Sequence, residues 1–288
     1  MTRIREESVE KVTGRAKYTS DLSLPGMAYA KLLGSPYAHA RIVSLDTREA
    51  EALPGVLAVL TADNINLLSG DVVKDQPVLA AGKVRHQGEL VAAVAAVDLA
   101  TAEEALGLIQ VEYEPLPVVA DLEAALAPNA PLVHETLPPD APDHLTGGNN
   151  NVYHTFYENG DVEQGFAEAD EVFEDEFTFP RVFHYPMETD SVLADVNDEG
   201  VTVWGTSQGP FSIQEGIAQA LGLPITRVRS IGSYIGSGFG GRGGQQHVLC
   251  VALSKKAGVP VKLVLSVAEN MASVRRHSLW ARLQTGGK

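Results

Sequence analysis

The sequence has 288 residues, of which 44% are hydrophobic and 20% are charged, a composition typical of a folded protein long enough for two domains. Its formal net charge of −15 argues against partners such as nucleic acid or anionic membrane surfaces. The single cysteine, Cys250, excludes an internal disulfide and an iron–sulfur cluster carried wholly by this chain, and its apolar surroundings indicate a core residue.

Membrane and secretion signals are not found in the sequence. No apolar run reaches the roughly 18 to 20 residues that span a bilayer. The first ten residues lack the apolar stretch of a secretion signal. We therefore expect a cytoplasmic protein that does not interact with membranes.

The first part of the chain predicts strands that alternate with helices. Apolar patterning predicts strands at 27–33, 41–45, 56–60, 90–97 and 109–113. Helices are predicted at 47–53 and 101–108. Such alternation indicates an α/β domain, which we assign to residues 1–125.

The composition then changes to Pro, Asn, Asp and Gly over residues 126–151, which predicts a linker. A second domain is predicted over residues 152–288, opening with an acidic amphipathic segment at 161–172. It continues with helices at 212–221 and 245–257, and with strands at 172–179, 191–196, 201–206, 227–231 and 261–267. Gly222 and Gly258 are placed to end the two helices.

Residues 232–244 contain seven glycines, a density that permits close contact between main chain and a ligand. A flexible surface loop is the alternative, although Tyr234 and Phe239 are unlike the residues of a solvated linker. Taken alone, Gly236-Ser-Gly238-Phe-Gly-Gly241 also fits a dinucleotide-binding turn. Only 47 residues follow Gly241, too few for the remaining strand–helix units of that fold.

Several short motifs, in order along the chain, resemble the molybdenum hydroxylases, the family of xanthine dehydrogenase, aldehyde oxidase and carbon monoxide dehydrogenase. These motifs are Thr13-Gly-Arg-Ala-Lys-Tyr18, Leu24-Pro-Gly-Met27, Ser35-Pro-Tyr-Ala-His-Ala-Arg-Ile42, Leu53-Pro-Gly-Val56, His184-Tyr-Pro-Met-Glu188, Thr206-Ser-Gln208, Gly238-Phe-Gly-Gly241 and Arg276-His277. The resemblance implies a mixed α/β fold, with a hammerhead domain followed by the first, incomplete part of a molybdopterin-binding domain.

The resemblance also implies an oxidoreductase. Its cofactor would be molybdopterin with molybdenum, either as such or as a cytosine dinucleotide, with no iron–sulfur cluster or flavin in this chain. The enzyme would hydroxylate a small-molecule substrate, an aldehyde or an N-heteroaromatic, with oxygen from water and pass the electrons to a 2Fe-2S iron–sulfur subunit and an FAD subunit. The alternative is a non-catalytic assembly or cofactor-holding protein built on the same fold.

Molybdenum subunits of this family are more than twice as long, and their catalytic glutamate lies near the C-terminus. The chain is therefore expected to be a split subunit or a truncated product. We expect the C-terminal half of the molybdenum subunit as a partner and an isolated chain that is inactive.

By the match, Gln208 is the glutamine whose amide hydrogen-bonds an oxygen ligand of the metal, and Phe239 lines the substrate channel. Alternatively, Gln208 is only a polar residue at a strand end, with Gln214 as a nearby candidate for the same role. The alternative for Phe239 is a core aromatic. No side chain of this chain is expected to bind the metal. The expected cofactor-binding residues are Gln208, Gly238, Phe239, Gly240 and Gly241.

The motif residues His184 and Glu188 are expected to form a buried, hydrogen-bonded pair rather than to bind metal. His247 is expected to be structural. Two positions depart from the family pattern. Gly243 stands where purine-oxidising members carry an acidic residue, which argues against purine as the substrate, and Ser278 stands where proline commonly follows Arg-His.

Overall fold

A computed structural model describes residues 7–65, 67–69, 76–135, 150, 156–242, 244–273 and 279–287. The predicted features at Gly243, Arg276, His277 and Ser278, and most of the predicted linker, lie outside the described residues. The chain forms two compact units. The larger comprises Met1–Leu116 and His184–Val274, and the smaller comprises Pro117–Phe183 and Arg275–Lys288.

Helices and strands are numbered in chain order over the described residues. The helices are α1 (Ser8–Val12), α2 (Arg48–Ala52), α3 (Leu99–Leu108), α4 (Leu122–Leu126), α5 (Val162–Glu168), α6 (Pro210–Leu221), α7 (Gln245–Ala257) and α8 (Val267–Ser273). The strands are β1 (Ala28–Gly34), β2 (Ala40–Asp46), β3 (Val56–Thr61), β4 (Leu68–Ser69), β5 (Gln76–Pro77), β6 (Lys83–Val84), β7 (Leu90–Ala96), β8 (Gln110–Pro115), β9 (Glu171–Phe179), β10 (Ser191–Asn197), β11 (Gly200–Gly205), β12 (Val228–Gly232), β13 (Val261–Val264) and β14 (Leu279–Gly287).

The predicted strand at 261–267 is wrong in its second half. Strand β13 ends at Val264, and α8 begins three residues later. Ser266 and Glu269 cap this helix reciprocally, because the Glu269 N–H donates to Ser266 Oγ (3.2 Å) and the Ser266 N–H donates to Glu269 Oε2 (2.6 Å). Such a capping box starts a helix and so ends the strand.

A mixed seven-stranded sheet forms the centre of the larger unit, in the order β12-β11-β10-β13-β1-β7-β3. Strand β1 pairs in parallel with β13, with Ala28 opposite Val261, and antiparallel with β7. The sheet therefore combines strands from both sides of the predicted linker. This is the mixed α/β class expected from the sequence.

Helix α7 packs on this sheet and is buried over residues 246–254. Leu249 and Leu253 on the helix, and Leu263 on β13, belong to the same apolar core. Cys250 is fully buried with its Sγ 3.1 Å from the Val261 carbonyl oxygen, and burial raises the pKa of its thiol to about 12. The expectation of a core cysteine is confirmed. The helix ends at Gly258, whose φ of 70° favours glycine.

A second, three-stranded sheet of the larger unit has the order β6-β2-β8. Its core includes Ala40, Val84 and Val91. Helices α2 and α3 contribute Ala50 and Ala105 to a separate apolar cluster with β3 and β7. Among the described helices, none is both long and apolar enough to cross a membrane.

The smaller unit contains a two-stranded antiparallel ribbon of β9 and β14, with Phe179 opposite Leu279 and Glu171 opposite Gly287. Directly opposed residues share a face, so the register places five large apolar side chains on one side. We call these five side chains the apolar ribbon face: Phe173, Phe177, Phe179, Leu279 and Leu283; Glu171 and Asp175 lie on the same side of the ribbon. Each of the five is 50–58% exposed.

The opposite face of the ribbon is polar and paired within itself. The Trp280 indole N–H donates to Glu176 Oε1 (2.8 Å), and the Gln284 amide donates to Glu174 Oε2 (3.0 Å). Arg282 lies 3.8 Å from Glu174 Oε1 and 3.6 Å from Glu176 Oε2. Trp280, Arg282 and Gln284 are thus paired across the strands, whereas the apolar ribbon face stays exposed among the described residues.

Candidate functional site

The glycine-rich segment forms a loop between β12 and α7 in the larger unit. Its tightest turn is closed by the Gly241 N–H, which donates to the Gly238 carbonyl oxygen (2.8 Å). Within this turn Phe239 and Gly240 have φ values of 49° and 80°. Phe239 is 68% exposed, so it is not part of the apolar core of the described residues. A left-handed φ is uncommon for phenylalanine, and strained backbone of this kind clusters at functional sites.

Gln208 follows β11 and lies directly against this loop. A Cβ atom added to Gly238 would be 2.8 Å from both Cδ and Oε1 of Gln208, so a larger residue there would require the Gln208 side chain to move. The Gln208 side chain is exposed, and its amide forms no hydrogen bond within the part of the chain that the structure describes. The amide is therefore positioned by contact while its donor and acceptor stay available to another molecule.

Two further glycines of the loop lie against the His184-Tyr-Pro-Met-Glu188 segment. A Cβ at Gly241 would be 2.7 Å from His184 Nδ1, and the Gly236 N–H donates to Glu188 Oε2 (2.7 Å). The His184 Nδ1 and Glu188 Oε1 atoms are buried without a hydrogen-bond partner among the described residues. Buried polar atoms of this kind require an explanation, such as a group that the protein holds when it is active.

The expectation that His184 and Glu188 pair with each other is wrong. Each of them contacts the glycine loop instead, His184 at Gly241 and Glu188 at Gly236. The two residues are four positions apart in a segment without regular structure, so their side chains need not face one another. Both side chains nonetheless lie against the backbone of the glycine-rich loop.

Arg242 ends the loop and was not among the predicted site residues. Its guanidinium is 1% exposed and donates to Asp190 Oδ1 (2.6 Å), to the Glu188 carbonyl oxygen (2.8 Å) and, through Nε, to the Ser237 carbonyl oxygen (3.0 Å). It also lies 3.4 Å from Glu188 Oε2. An arginine that closes a glycine run, together with two acidic residues in a second motif, is the sequence signal for this cluster.

Asp190 is the most buried acidic member of the cluster, with 4% of its side chain exposed. Its backbone N–H donates to Asn270 Oδ1 (3.1 Å), which ties the cluster to α8. Burial raises the pKa of Asp190, and the neighbouring Arg242 offsets part of that rise.

Two residues near the loop have structural roles. Gln214 donates to the Val228 carbonyl oxygen (2.7 Å) and so fastens α6 to β12, which distinguishes it from Gln208. His247 is buried on α7 against Gly205, where an added Cβ would lie 2.0 Å from its Nε2. This buried position agrees with the expectation that His247 is structural.

The site therefore combines a free amide side chain, an exposed aromatic ring and a left-handed glycine turn. A Cβ at Gly240 would meet nothing within 4 Å among the described residues, so a ligand can approach the main chain there. No group of three or more His, Cys, Asp or Glu side chains suited to a metal ion is found in the described ranges.

Comparison with known families covers both parts of the chain. Residues 13–117 match the family described as aldehyde oxidase and xanthine dehydrogenase, a/b hammerhead domain. Residues 144–288 match the molybdopterin cofactor-binding domain. The site residues of the glycine loop and Gln208 lie in the second match.

Three curated relatives match nearly the whole chain. A probable xanthine dehydrogenase subunit from Bacillus subtilis is 39% identical over 99% of this chain, which spans 37% of that relative. The carbon monoxide dehydrogenase large chain of Afipia carboxidovorans is 40% identical over 94% of this chain and 35% of its own length. The nicotinate dehydrogenase large molybdopterin subunit of Eubacterium barkeri is 36% identical over 99% of this chain and 65% of its own length.

Solved structures agree with these matches. Quinoline 2-oxidoreductase from Pseudomonas putida 86 superposes with a TM-score of 0.85 at 33% identity, over 99% of this chain and 37% of that one. Carbon monoxide dehydrogenase from Oligotropha carboxidovorans gives a TM-score of 0.84 at 38% identity, over 95% of this chain and 36% of its own. The chain spans little more than a third of each of these two proteins. With its hammerhead and molybdopterin-binding regions, this chain belongs to the molybdenum hydroxylase family of xanthine dehydrogenases, aldehyde oxidases and their relatives.

Proposed function

We propose that this chain forms the N-terminal, cofactor-contacting part of the molybdenum-binding subunit of a molybdenum hydroxylase. The observation that carries the proposal is the exposed Gln208 amide, which lies beside Gly238, where an added Cβ would be 2.8 Å from it, and which has no hydrogen-bond partner in the described chain. An uncharged amide can orient a ligand atom of a metal without adding a competing charge. Family membership and the match to molybdopterin-binding domains support the same assignment.

The residues present fit molybdopterin. The cofactor's polar groups need hydrogen-bond partners, and the loop offers the Gln208 amide and an open approach at Gly240. The buried, unpartnered Nδ1 of His184 adds a further polar atom beside Gly241. When bound, molybdopterin with molybdenum, plain or as the cytosine dinucleotide, supplies the redox chemistry that hydroxylates a substrate with oxygen from water.

The residues of this chain would bind and orient. Gln208 would fix a polar atom of the cofactor with its amide, and the turn at Gly238 to Gly241 would let main-chain amides reach the cofactor. The exposed ring of Phe239 would form one wall of the substrate channel and exclude water from it.

We assign an aldehyde or an N-heteroaromatic compound as the substrate class. Nicotinate and quinoline, in the names of two similar proteins, are N-heteroaromatic compounds. The electrons would pass to 2Fe-2S and FAD partner subunits, since the single cysteine of this chain cannot supply an iron–sulfur cluster.

We also propose a partner that completes the molybdenum-binding region, whether in the same polypeptide or in another. Relatives are up to nearly three times as long as the matched stretch. The apolar ribbon face, with Phe177 54% exposed and Leu283 50% exposed, is a surface that such a segment would cover. The shorter nicotinate dehydrogenase subunit, of which the match spans 65%, supports a molybdenum region that can be divided.

The test uses the native, partner-complete complex. We expect it to contain molybdenum by elemental analysis and a pterin by fluorescence. Gln208→Ala should lower turnover about 10- to 100-fold, as the loss of groups that orient metal ligands does. Because Gln208 is exposed, the same change should alter the free energy of unfolding by about 1 kcal/mol or less.

Gln214→Ala is the matched control. It removes the hydrogen bond to Val228 and should reduce stability by about 1 kcal/mol without a specific loss of turnover. A complete complex with neither molybdenum nor pterin would overturn the proposal and favour a non-catalytic assembly protein. Unchanged turnover in Gln208→Ala would remove Gln208 from the site.

A further inference from the structure

We propose that Glu188 and Arg242 are positioning residues that lock the glycine loop and, through Gly238, set the orientation of the Gln208 amide. The effect on turnover rests on the proposed function, whereas the lock itself is a property of this chain. Neither residue touches substrate in this proposal; both act through the backbone of the loop.

Glu188 joins the two sides of the Gly238–Gly241 turn through one carboxylate oxygen. Its Oε2 accepts the Gly236 N–H at 2.7 Å and lies 3.4 Å from Nη2 of Arg242. Gly236 and Arg242, which flank the turn from Gly238 to Gly241, are thereby held by the same atom. Charge-assisted hydrogen bonds of this kind are stronger than bonds between neutral groups.

Arg242 then fastens the loop to itself and to the neighbouring segment. Its Nε donates back to the Ser237 carbonyl oxygen inside the loop, and its Nη2 donates to the Glu188 carbonyl oxygen. Its Nη1 donates to Asp190 Oδ1 at 2.6 Å. A planar guanidinium can hold these directions at once, but a lysine ammonium on a flexible stem cannot replace that geometry.

The loop needs such a lock because its own sequence does not specify its shape. Glycines are costly to order, and the left-handed φ of 49° at Phe239 is unfavourable for a bulky residue. The Phe239 ring is 68% exposed, so its packing anchors the turn weakly. A turn of this type persists only when the surrounding structure fixes it.

The hydrogen bonds of Glu188 and Arg242 act on Gln208 through the contact between Gly238 and the Gln208 side chain. The buried Gly238 stands between the Ser237 carbonyl, which Arg242 holds, and the Phe239 turn. A Cβ added to Gly238 would lie 2.8 Å from Cδ of Gln208, so the glycine packs against this side chain and a shift of the loop would turn or release its amide. Misplacing an orienting group by about 1 Å is enough to lower a reaction rate about 100-fold.

Hydrogen exchange on the full chain tests the lock without the cofactor. Arg242→Lys keeps the positive charge and removes the planar guanidinium, so the hydrogen-bonded amides of Gly236 and Gly241 should exchange about tenfold faster or more. Exchange in α7 at residues 246–254 should stay unchanged, which shows that the unit has folded. The matched control is Arg85→Lys, because Arg85 forms a buried pair with Glu89 elsewhere in the larger unit (2.9 Å); it should leave the loop unchanged.

The second measurement uses the native complex. Arg242→Lys and Glu188→Gln should lower kcat and alter the molybdenum(V) electron paramagnetic resonance signal while most of the pterin stays bound. Loop exchange that stays at the wild-type rate in Arg242→Lys would overturn the lock. A loosened loop in a complex that lacks pterin would instead contradict the proposed function and leave the lock supported. A loosened loop with normal kcat and an unaltered signal would overturn the link to Gln208.

Discussion

Strand β13 and the ribbon of β9 and β14 are both β-structure from the second half of the chain, yet their surroundings differ. Strand β13 has a partner on each edge and lies under α7, with Leu263 1% exposed. Each ribbon strand has a single partner, and all nine residues of β9 are exposed. Strand pairing provides main-chain hydrogen bonds in β13 and in the ribbon, but only β13 packs against an apolar core. A two-stranded ribbon by itself is marginally stable in water.

The largest expected effect is on the free energy of unfolding, when a leucine of β13 and a leucine of β14 are each replaced by alanine. Leu263→Ala should reduce the free energy of unfolding by about 2–5 kcal/mol, because it leaves a cavity in the core. Leu283→Ala, at a side chain 50% exposed on the apolar ribbon face, should cost about 1 kcal/mol or less. Urea denaturation of both variants measures the difference. Equal losses would mean that the ribbon is packed in solution and that the comparison fails.

A matched pair of glycines sharpens the comparison further. In Gly205→Ala, at the end of β11, the new Cβ would lie 2.0 Å from Nε2 of His247, so about 1–3 kcal/mol of stability should be lost. In Gly287→Ala, on β14, the Cβ meets nothing within 4 Å among the described residues, and stability should be unchanged or slightly higher. Thermal unfolding of the two variants measures the change in stability that each substitution causes. A tolerated Gly205→Ala would show that His247 can move away freely.

The smallest expected effect concerns association. Phe177→Ser removes a half-exposed ring from the apolar ribbon face and should weaken self-association of the isolated chain about tenfold, because apolar area drives it. Phe211→Ser is the control, since Phe211 is 77% exposed on α6 but outside this face. Analytical ultracentrifugation over a range of concentrations measures both. If Phe211→Ser had the larger effect, association would use another surface.

Local signals in the sequence were sufficient to predict many of the individual helices and strands. Helix α7 has the predicted bounds, because an apolar run of helical length is followed by Gly258, which ends it. Helix α8 was missed although Ser266 and Glu269 have the spacing of a capping box. The apolar run that begins at Val261 extends past the end of strand β13. It favoured a longer strand over the helix start that the capping box indicates.

Pairing between distant elements was not predictable from such signals. Alternation identifies β1 and β13 as strands but does not say that Ala28 lies opposite Val261, because register is a property of the folded chain. At the site, Gln208 and Gly238 were proposed from motifs, and the structure places them in contact. Arg242 was missed because its partners, Glu188 and Asp190, belong to a segment about fifty residues earlier.

The parallel pairing of β1 with β13 has a consequence for the timing of synthesis. Ala28 and its partner Val261 are 233 positions apart, so a ribosome adding about 5–20 residues per second needs roughly 12 to 47 s to deliver the second after the first. During that interval one edge of β1 has no strand to bind, and an open edge can pair with another chain. Nascent chains of this protein should therefore need the protection of a chaperone until β13 has left the ribosome.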